Sequence, residues 1–173
     1  MKFYSGFSLE NEQCFFQSYI KKSEYTVCGF SYGAIKALRD ITEKLAQGKR
    51  VDTLQLFSPA FFQTKSEQFR KLQTRSYTKN KEKYLSQFIV GCFAPYTSKE
   101  LLHVETQLWE LEELLNYKWV QSELQNLCNK GVVIEVYLGG EDKIIDVEAA
   151  REFFLHVGTV TYIKNANHFL QTN

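Results

Sequence analysis

The chain of 173 residues is short of the residues that break a fold, with 2 prolines and 9 glycines, and it carries only 3 histidines. So little proline and glycine excludes a collagenous, low-complexity or linker-dominated chain. An excess of one charge is lacking as well. Lys+Arg 21 stands against Asp+Glu 20, a net charge of +1, so no whole-molecule field would hold nucleic acid or an anionic membrane, and a charged partner must be met by a local patch. No apolar stretch approaches the roughly 18 residues of a membrane span, and Glu10 and Glu12 fall where a secretory leader would be apolar. The expected compartment is the cytoplasm, with reduced thiols. Cys14, Cys28, Cys92 and Cys128 lie 14, 64 and 36 residues apart, with no CxxC pair and no histidine at a ligand interval. That argues against zinc and for small buried hydrophobes. There is no phosphate loop and no basic-aromatic alternation, so nothing calls for a nucleotide, a metal or another cofactor.

What is there is the composition of one soluble domain, 44% hydrophobic and 24% charged. Met1–Tyr4, Tyr25–Phe30 and Thr53–Phe57 are short apolar runs rich in β-formers, each fitting a buried strand. Between the first two, Phe15, Phe16 and Tyr19 recur at helical spacing. After the second, Ala34, Ile35, Leu38, Ile41 and Leu45 form an apolar stripe of period 3.6, which Gly48 ends. Val132–Leu138 is a further strand, Val147–Leu155 a helix and Thr159–Ile163 a final strand. Helical crossovers between apolar strands predict a five-stranded parallel sheet buried on both faces, an α/β fold. Residues 61–128 interrupt this rhythm and read as an inserted helical cap on a core of residues 1–60 and 129–173. Within it, Thr97 and Glu100 stand at capping-box spacing after Pro95, which predicts a helix start there. The insertion is electrically divided: Phe61–Val90 carries a net +5 and Glu100–Gln125 a net −5. Two helix faces attracting one another, or a basic face offered to an acidic macromolecule, would both produce that split.

Gly29-Phe30-Ser31-Tyr32-Gly33 runs straight from a predicted strand into a predicted helix, a G-x-S-x-G motif in strand-turn-helix context. Composition alone would produce about 0.03 such matches, so the context matters more than the pattern. A serine there occupies a sharp, strained turn, and glycine at the flanking positions clears space against neighbouring backbone. The helix N-terminus aims the Tyr32 N–H where an oxyanion would form. A serine needs a base. His168, in Asn165-Ala166-Asn167-His168-Phe169 after the last strand, lies at the carboxyl edge of the sheet, whereas His103 and His156 fall in predicted helices. For the carboxylate, Asp142 follows a strand through Gly139-Gly140-Glu141; Glu141 and Asp146 compete, but Asp146 reads as the N-cap of the helix beginning near Val147.

The order Ser31, Asp142, His168, the elbow and the strand-end positions together resemble the α/β-hydrolase family over essentially the whole chain. The resemblance implies a minimal α/β-hydrolase fold and a serine esterase. It makes Ser5-Gly6-Phe7 the counterpart of the family's His-Gly-aromatic loop, so that Phe7 joins Tyr32 as an oxyanion donor, with Ser5 replacing the histidine. Three strands on one flank are missing, which leaves the first strand at a sheet edge, and the helix that normally covers the last strand is absent, which leaves an apolar face open to self-association.

Within the family the chain is similar to the pimeloyl-acyl carrier protein methyl ester esterases of biotin synthesis in their short form, with the late Gly139-Gly140-Glu141-Asp142 and Asn167-His168-Phe169. The similarity implies an acidic acyl carrier protein as partner, docking on Arg70, Lys71, Arg75, Lys79, Lys81 and Lys83. It also implies an acyl channel with Phe61, Phe62, Leu108 and Trp109 as candidate lining. A general carboxylesterase or acyl thioesterase, or a non-catalytic hydrolase-like binding module, are the competing readings.

Overall fold

The structure, a computed structural model, describes residues 1–173. A five-stranded parallel sheet has the order β1 (Lys2–Tyr4), β3 (Thr26–Phe30), β4 (Thr53–Phe57), β6 (Val133–Gly139), β7 (Thr159–Ile163). Helix α1 (Tyr32–Ala46) joins β3 to β4 and α6 (Val147–Leu155) joins β6 to β7. Between β4 and β6 lie α2 (Glu67–Lys79), α3 (Lys81–Phe93), the short β5 (Leu102–His103), α4 (Leu108–Asn116) and α5 (Gln121–Asn129). No helix is long and apolar enough to cross a membrane.

The apolar stripe of α1 (Ala34, Ile35, Leu38, Ile41) is wholly or almost wholly buried and shares one core with Val27, Leu54 and Leu56 of the sheet. That same core contains Tyr77 of α2, Leu111, Leu114 and Leu115 of α4, and Leu124 and Leu127 of α5. Sheet and insertion therefore fold on a continuous apolar interior. β3 and β4 are buried on both faces, as expected. β6 and β7, nearer the other edge, alternate in exposure.

Three expectations are corrected. Phe15, Phe16 and Tyr19 do not lie on a full α-helix: only a 3-10 helix, Glu12–Phe16, forms. It covers the sheet face opposite α1, with the Phe16 ring stacked on Phe57 at 4.8 Å. The β1-to-β3 and β3-to-β4 connections thus step the same way across the sheet on opposite faces, and have opposite hands. Parallel crossovers are almost always right-handed, so the first is the exceptional one.

Second, no helix starts at Thr97. Leu102–His103 instead pairs antiparallel with β2 (Leu9–Glu10), whose backbone satisfies the groups a helix would have paired internally. The capping interaction falls further on, where the Glu110 carboxylate accepts the Gln107 N–H at 3.0 Å at the start of α4. His103 is consequently in a strand, while His156 caps the C-terminus of α6.

Third, the sheet face left without a helix is not apolar at its outer end. Registers Glu135↔Thr159 and Tyr137↔Thr161 set polar side chains there. Further in, the buried Gln55 donates to the Tyr19 carbonyl and to Glu135, both at 2.9 Å.

The two elbow glycines are dictated by contact. A Cβ on Gly29 would lie 2.4 Å from the Gly33 carbonyl oxygen, and one on Gly33 would lie 2.0 Å from the Tyr4 carbonyl oxygen. Backbone cannot yield as a side chain does. Gly33→Ala is expected to cost about 3 kcal/mol or more, lowering the melting temperature by about 6 °C or more. Gly91→Ala, whose methyl would meet only the Ile144 Cδ1 at 3.2 Å, should stay within about 1 kcal/mol of the parent. Thermal unfolding of both variants checks the contrast, and equal melting temperatures would contradict it.

Candidate active site

Ser31 stands between the last residue of β3 and the first of α1 with φ 51° and ψ −115°, a conformation a non-glycine residue adopts only when its surroundings impose it. The imposing contacts are visible. The Ser31 N–H donates to the Phe57 carbonyl at 2.9 Å, and its own carbonyl accepts from Ala34 and Ala60, both at 3.1 Å. The hydroxyl is thereby pushed up at the carboxyl edge, 3.0 Å from Nε2 of His168. Nδ1 of His168 lies 2.6 Å from Oδ2 of Asp142. The other carboxylate oxygen of Asp142 accepts the Ile144 N–H at 2.7 Å and the Ile145 N–H at 3.3 Å. Hydroxyl, imidazole and carboxylate form one line of hydrogen bonds from residues 137 and 26 positions apart in sequence.

The imidazole is completely buried, and its ring lies 5.0 Å from that of Phe30. Its loop is strapped by Asn167, whose side chain donates to the Phe93 carbonyl at 2.9 Å and accepts from Phe169 and Gln171 at 3.0 Å each. The rival carboxylates are engaged elsewhere. Asp146 caps α6 through the Ala149 N–H at 3.2 Å, and Glu141 pairs with Lys143 at 3.0 Å on the exposed side.

The two backbone N–H groups expected to bind an oxyanion are free of protein acceptors. That of Tyr32 is the first of α1, where no carbonyl of the helix can accept it. That of Phe7 donates to no protein acceptor. The Phe7 ring is buried against Tyr32 at 6.4 Å, Tyr77 at 6.2 Å and Phe88 at 6.0 Å, which locks the loop to both the core and the insertion.

Beside this arrangement lies a cavity of about 370 Å³ between α2, α3, α4 and the segment after Asp142, with 9 of its 14 lining residues hydrophobic. Phe62 lines it, with Phe69, Leu72, Phe88, Leu111 and Ile144. Among the other expected lining residues, Phe61 packs against Phe153 and Phe154 instead, Leu108 faces a separate groove beside α2, and Trp109 is 59% exposed. Ser31, Asp142 and His168 do not themselves line the cavity; it reaches their neighbours Ile144, whose N–H binds Asp142, and Phe88, whose ring meets Phe7.

Two features were not legible in the motif. The acidic α4 spends two of its three carboxylates on α1: Glu113 pairs with Arg39 at 2.7 Å and Glu110 with Lys36 at 3.7 Å, while the Tyr32 hydroxyl donates to Glu113. Burial, together with the Glu113 carboxylate, pushes the Tyr32 phenol well up, so it stays a donor. In addition, Glu12, a polar residue ahead of a predicted helix, is wholly buried beneath the Ser5-Gly6-Phe7 loop. Its signal would have been the three-dimensional proximity of a carboxylate to a loop six residues upstream, which no periodicity encodes.

No protein-family model matches the chain, and no curated protein sequence matches it. Solved structures do. An esterase from Exiguobacterium antarcticum superposes with a TM-score of 0.63 at 14% identity, over 83% of this chain and 59% of that one. A hydrolase from Oleispira antarctica gives 0.61 at 13% identity, over 85% and 59%. The fold is that of the α/β-hydrolases. This chain spans less than two thirds of the length of those two proteins. BioG from Haemophilus influenzae, by contrast, matches over 97% of this chain and 87% of its own, with a TM-score of 0.57 at 10% identity. At such identities the likeness is one of fold, and the chemistry must be argued from the side chains.

The rival nucleophiles are thiols, and the structure disfavours two of them. Burial pushes Cys28 up to about 12 and Cys92 well above its ordinary value, whereas Cys14 is exposed. A fluorophosphonate should therefore label Ser31 alone among the serines, with the adduct lost in Ser31→Ala. Brief iodoacetamide treatment of the native protein should modify Cys14 and spare Cys28 and Cys92. Peptide mass spectrometry reads both, and an adduct on another serine or rapid alkylation of Cys28 would contradict the arrangement.

Proposed function

We propose that the chain is a cytoplasmic serine carboxylesterase that hydrolyses the methyl ester of pimeloyl-acyl carrier protein, releasing methanol and pimeloyl-acyl carrier protein in biotin biosynthesis. This is the activity of the short BioV type of esterase that the sequence resembles. The observation that carries the esterase reading is the unbroken Asp142–His168–Ser31 hydrogen-bond line at a strained elbow.

Ser31 Oγ attacks the ester carbonyl as Nε2 of His168 takes its proton, and Asp142 holds Nδ1–H and stabilises the imidazolium. The oxyanion accepts the N–H groups of Tyr32 and Phe7. Collapse of the tetrahedral adduct expels methoxide, which leaves as methanol with the proton from Nε2. Water, deprotonated by the same nitrogen, then attacks the acyl-serine. A second collapse returns the serine hydroxyl and leaves a free carboxylate at the far end of the carrier-bound chain.

Two observations support the substrate class. The cavity near the line is lined by 9 hydrophobic residues of 14, with Lys65 and Lys143 among the polar ones, a mixed lining that suits an acyl chain with a polar end. Among the basic residues expected as the dock, Lys71 pairs with Glu67 at 2.6 Å, Lys81 with Glu105, and Arg70 reaches the Phe62 carbonyl at 3.4 Å. Arg75, Lys79 and Lys83 are exposed and make no ion pair. With Glu110 and Glu113 of α4 paired to α1, those three give α2 and the start of α3 a net basic face beside the carboxylate of Glu112, suited to an acidic carrier protein.

Incubation with methyl-pimeloyl-acyl carrier protein should release methanol while the acyl chain stays on the carrier. Free carrier thiol would favour a thioesterase, and turnover of small esters alone a general carboxylesterase. No turnover at all, with Ser31→Ala indistinguishable from the parent, would leave a binding module. Reversing Arg75, Lys79 and Lys83 to glutamate should raise KM for the carrier-linked ester about tenfold or more at low salt, and leave hydrolysis of a small ester unchanged. An unchanged KM would remove that face as the dock.

A further inference from the structure

The loop that carries Phe7 is tied down by a carboxyl group the mechanism above does not use. Glu12 is completely buried, and its Oε1 accepts the Gly6 N–H at 2.7 Å. Its Oε2 has no hydrogen-bond partner in the protein. The Gly6 N–H and the Phe7 N–H lie on adjacent peptide units joined at the Gly6 Cα, so a bond that fixes the first anchors the loop one unit before the second. The Phe7 ring anchors the loop through its side chain on Tyr32, Tyr77 and Phe88, but other restraints on its backbone are few. Gly6 is pressed on Phe30, where an added Cβ would lie 2.8 Å from the ring, and its carbonyl accepts from Leu9 at a long 3.4 Å. Between Gly6 and Glu12 the chain passes through Ser8 at φ 64° and Asn11 at φ 69°, left-handed conformations that cost free energy in non-glycine residues and revert unless held. The only strand pairing in this stretch is the two-residue ladder of β2 with β5.

We propose that Glu12 is a positioning residue for ester hydrolysis: its Oε1, by accepting the Gly6 N–H, holds the Ser5-Gly6-Phe7 loop so that the Phe7 N–H points at the developing oxyanion. What does the work is the acceptor and its reach, not a negative charge. Burial pushes the Glu12 carboxyl up, with the Gly6 N–H, its own backbone N–H and the Ser5 hydroxyl acting in the opposite direction, and an amide offers the same acceptor to Gly6 at the same reach. A loop released from Glu12 still binds substrate through the apolar cavity, because the oxyanion contact strengthens only as charge develops. The loss therefore belongs in kcat.

The inference rests on Ser31 acting as the nucleophile. A small activated ester such as p-nitrophenyl acetate is the probe, so that the identity of the natural substrate does not enter. Turnover by the parent protein and its absence in Ser31→Ala test the esterase reading first; a parent without turnover would overturn that reading and this one together. With an active parent, Glu12→Asp keeps the charge but falls a methylene short of Gly6, and should lower kcat about 10- to 100-fold with KM within about twofold. Glu12→Gln keeps the reach without the charge and should hold kcat within about threefold of the parent. Backbone amide exchange should show Gly6 less protected in the aspartate variant and as protected as the parent in the glutamine variant. Equal kcat for both variants and the parent, well below their melting temperatures, would make Glu12 merely structural. A glutamine variant as slow as the aspartate one would show that charge, and not the placed acceptor, is what matters. Either result overturns the proposal.

Discussion

The turn at Ser31 is the constraint on which the molecule depends. A non-glycine residue at φ 51° costs of order 1–3 kcal/mol, and the cost is sustained by three backbone hydrogen bonds that converge on it from β4, the segment after β4 and the first turn of α1. Those bonds exist only if β3 and β4 are paired in register and α1 begins at once. The glycines on either side of the turn allow the required closeness: one lets strand and helix touch, the other lets the helix rest on the end of β1. Sheet register, helix start and hydroxyl direction are thus one solution to one steric problem.

The same economy governs the rest of a short chain. An α/β-hydrolase sheet usually extends beyond the strand that precedes the oxyanion loop; here that strand is the edge. Its connection to β3 crosses the face opposite α1, and only a 3-10 helix and a few aromatic rings fill the space. Packing on that face relies on phenylalanine stacked on phenylalanine, from Phe3 through Phe16, Phe30 and Phe57 to Phe169. Aromatic rings cover the most apolar area per residue ordered, which suits a segment too short for a helix. The helices between β4 and β6 share an apolar interior with the sheet and α1, and the ion pairs of α4 with α1 tie them to it.

How much of this was written locally explains what could be read. The five strands and the stripe of α1 are repeated within a few residues of themselves, and the structure follows them to within a residue or two. The serine motif and the placing of His168 and Asp142 were legible because strand ends bring them to one edge whatever the loops do. Non-local partners hid the remainder. Thr97 and Glu100 had the spacing of a cap, but Leu102 and His103 found a strand at residues 9 and 10. Phe15, Phe16 and Tyr19 had helical spacing, but the sheet face they cover holds only a short turn. The −5 stretch divides its charge: Glu105 pairs with Lys81 of the +5 stretch, whereas Glu110 and Glu113 face Lys36 and Arg39 of α1, a division no local pattern encodes. The burial of Glu12 was not legible because it depends on a loop folding back over it.

In the proposed hydrolysis the bond between Asp142 and Nδ1 of His168 is the one that must select the tautomer leaving Nε2 free to accept the serine proton. Asn in place of Asp142 keeps the size and the Ile144 contact but can present an N–H to the imidazole, which inverts the tautomer. The turnover number of Asp142→Asn on a simple ester, measured beside its melting temperature, is the decisive quantity. A fall of about three to four orders of magnitude, with the fold intact, is the predicted result. Near-parental turnover would mean that the aligned hydroxyl, imidazole and carboxylate do not act together.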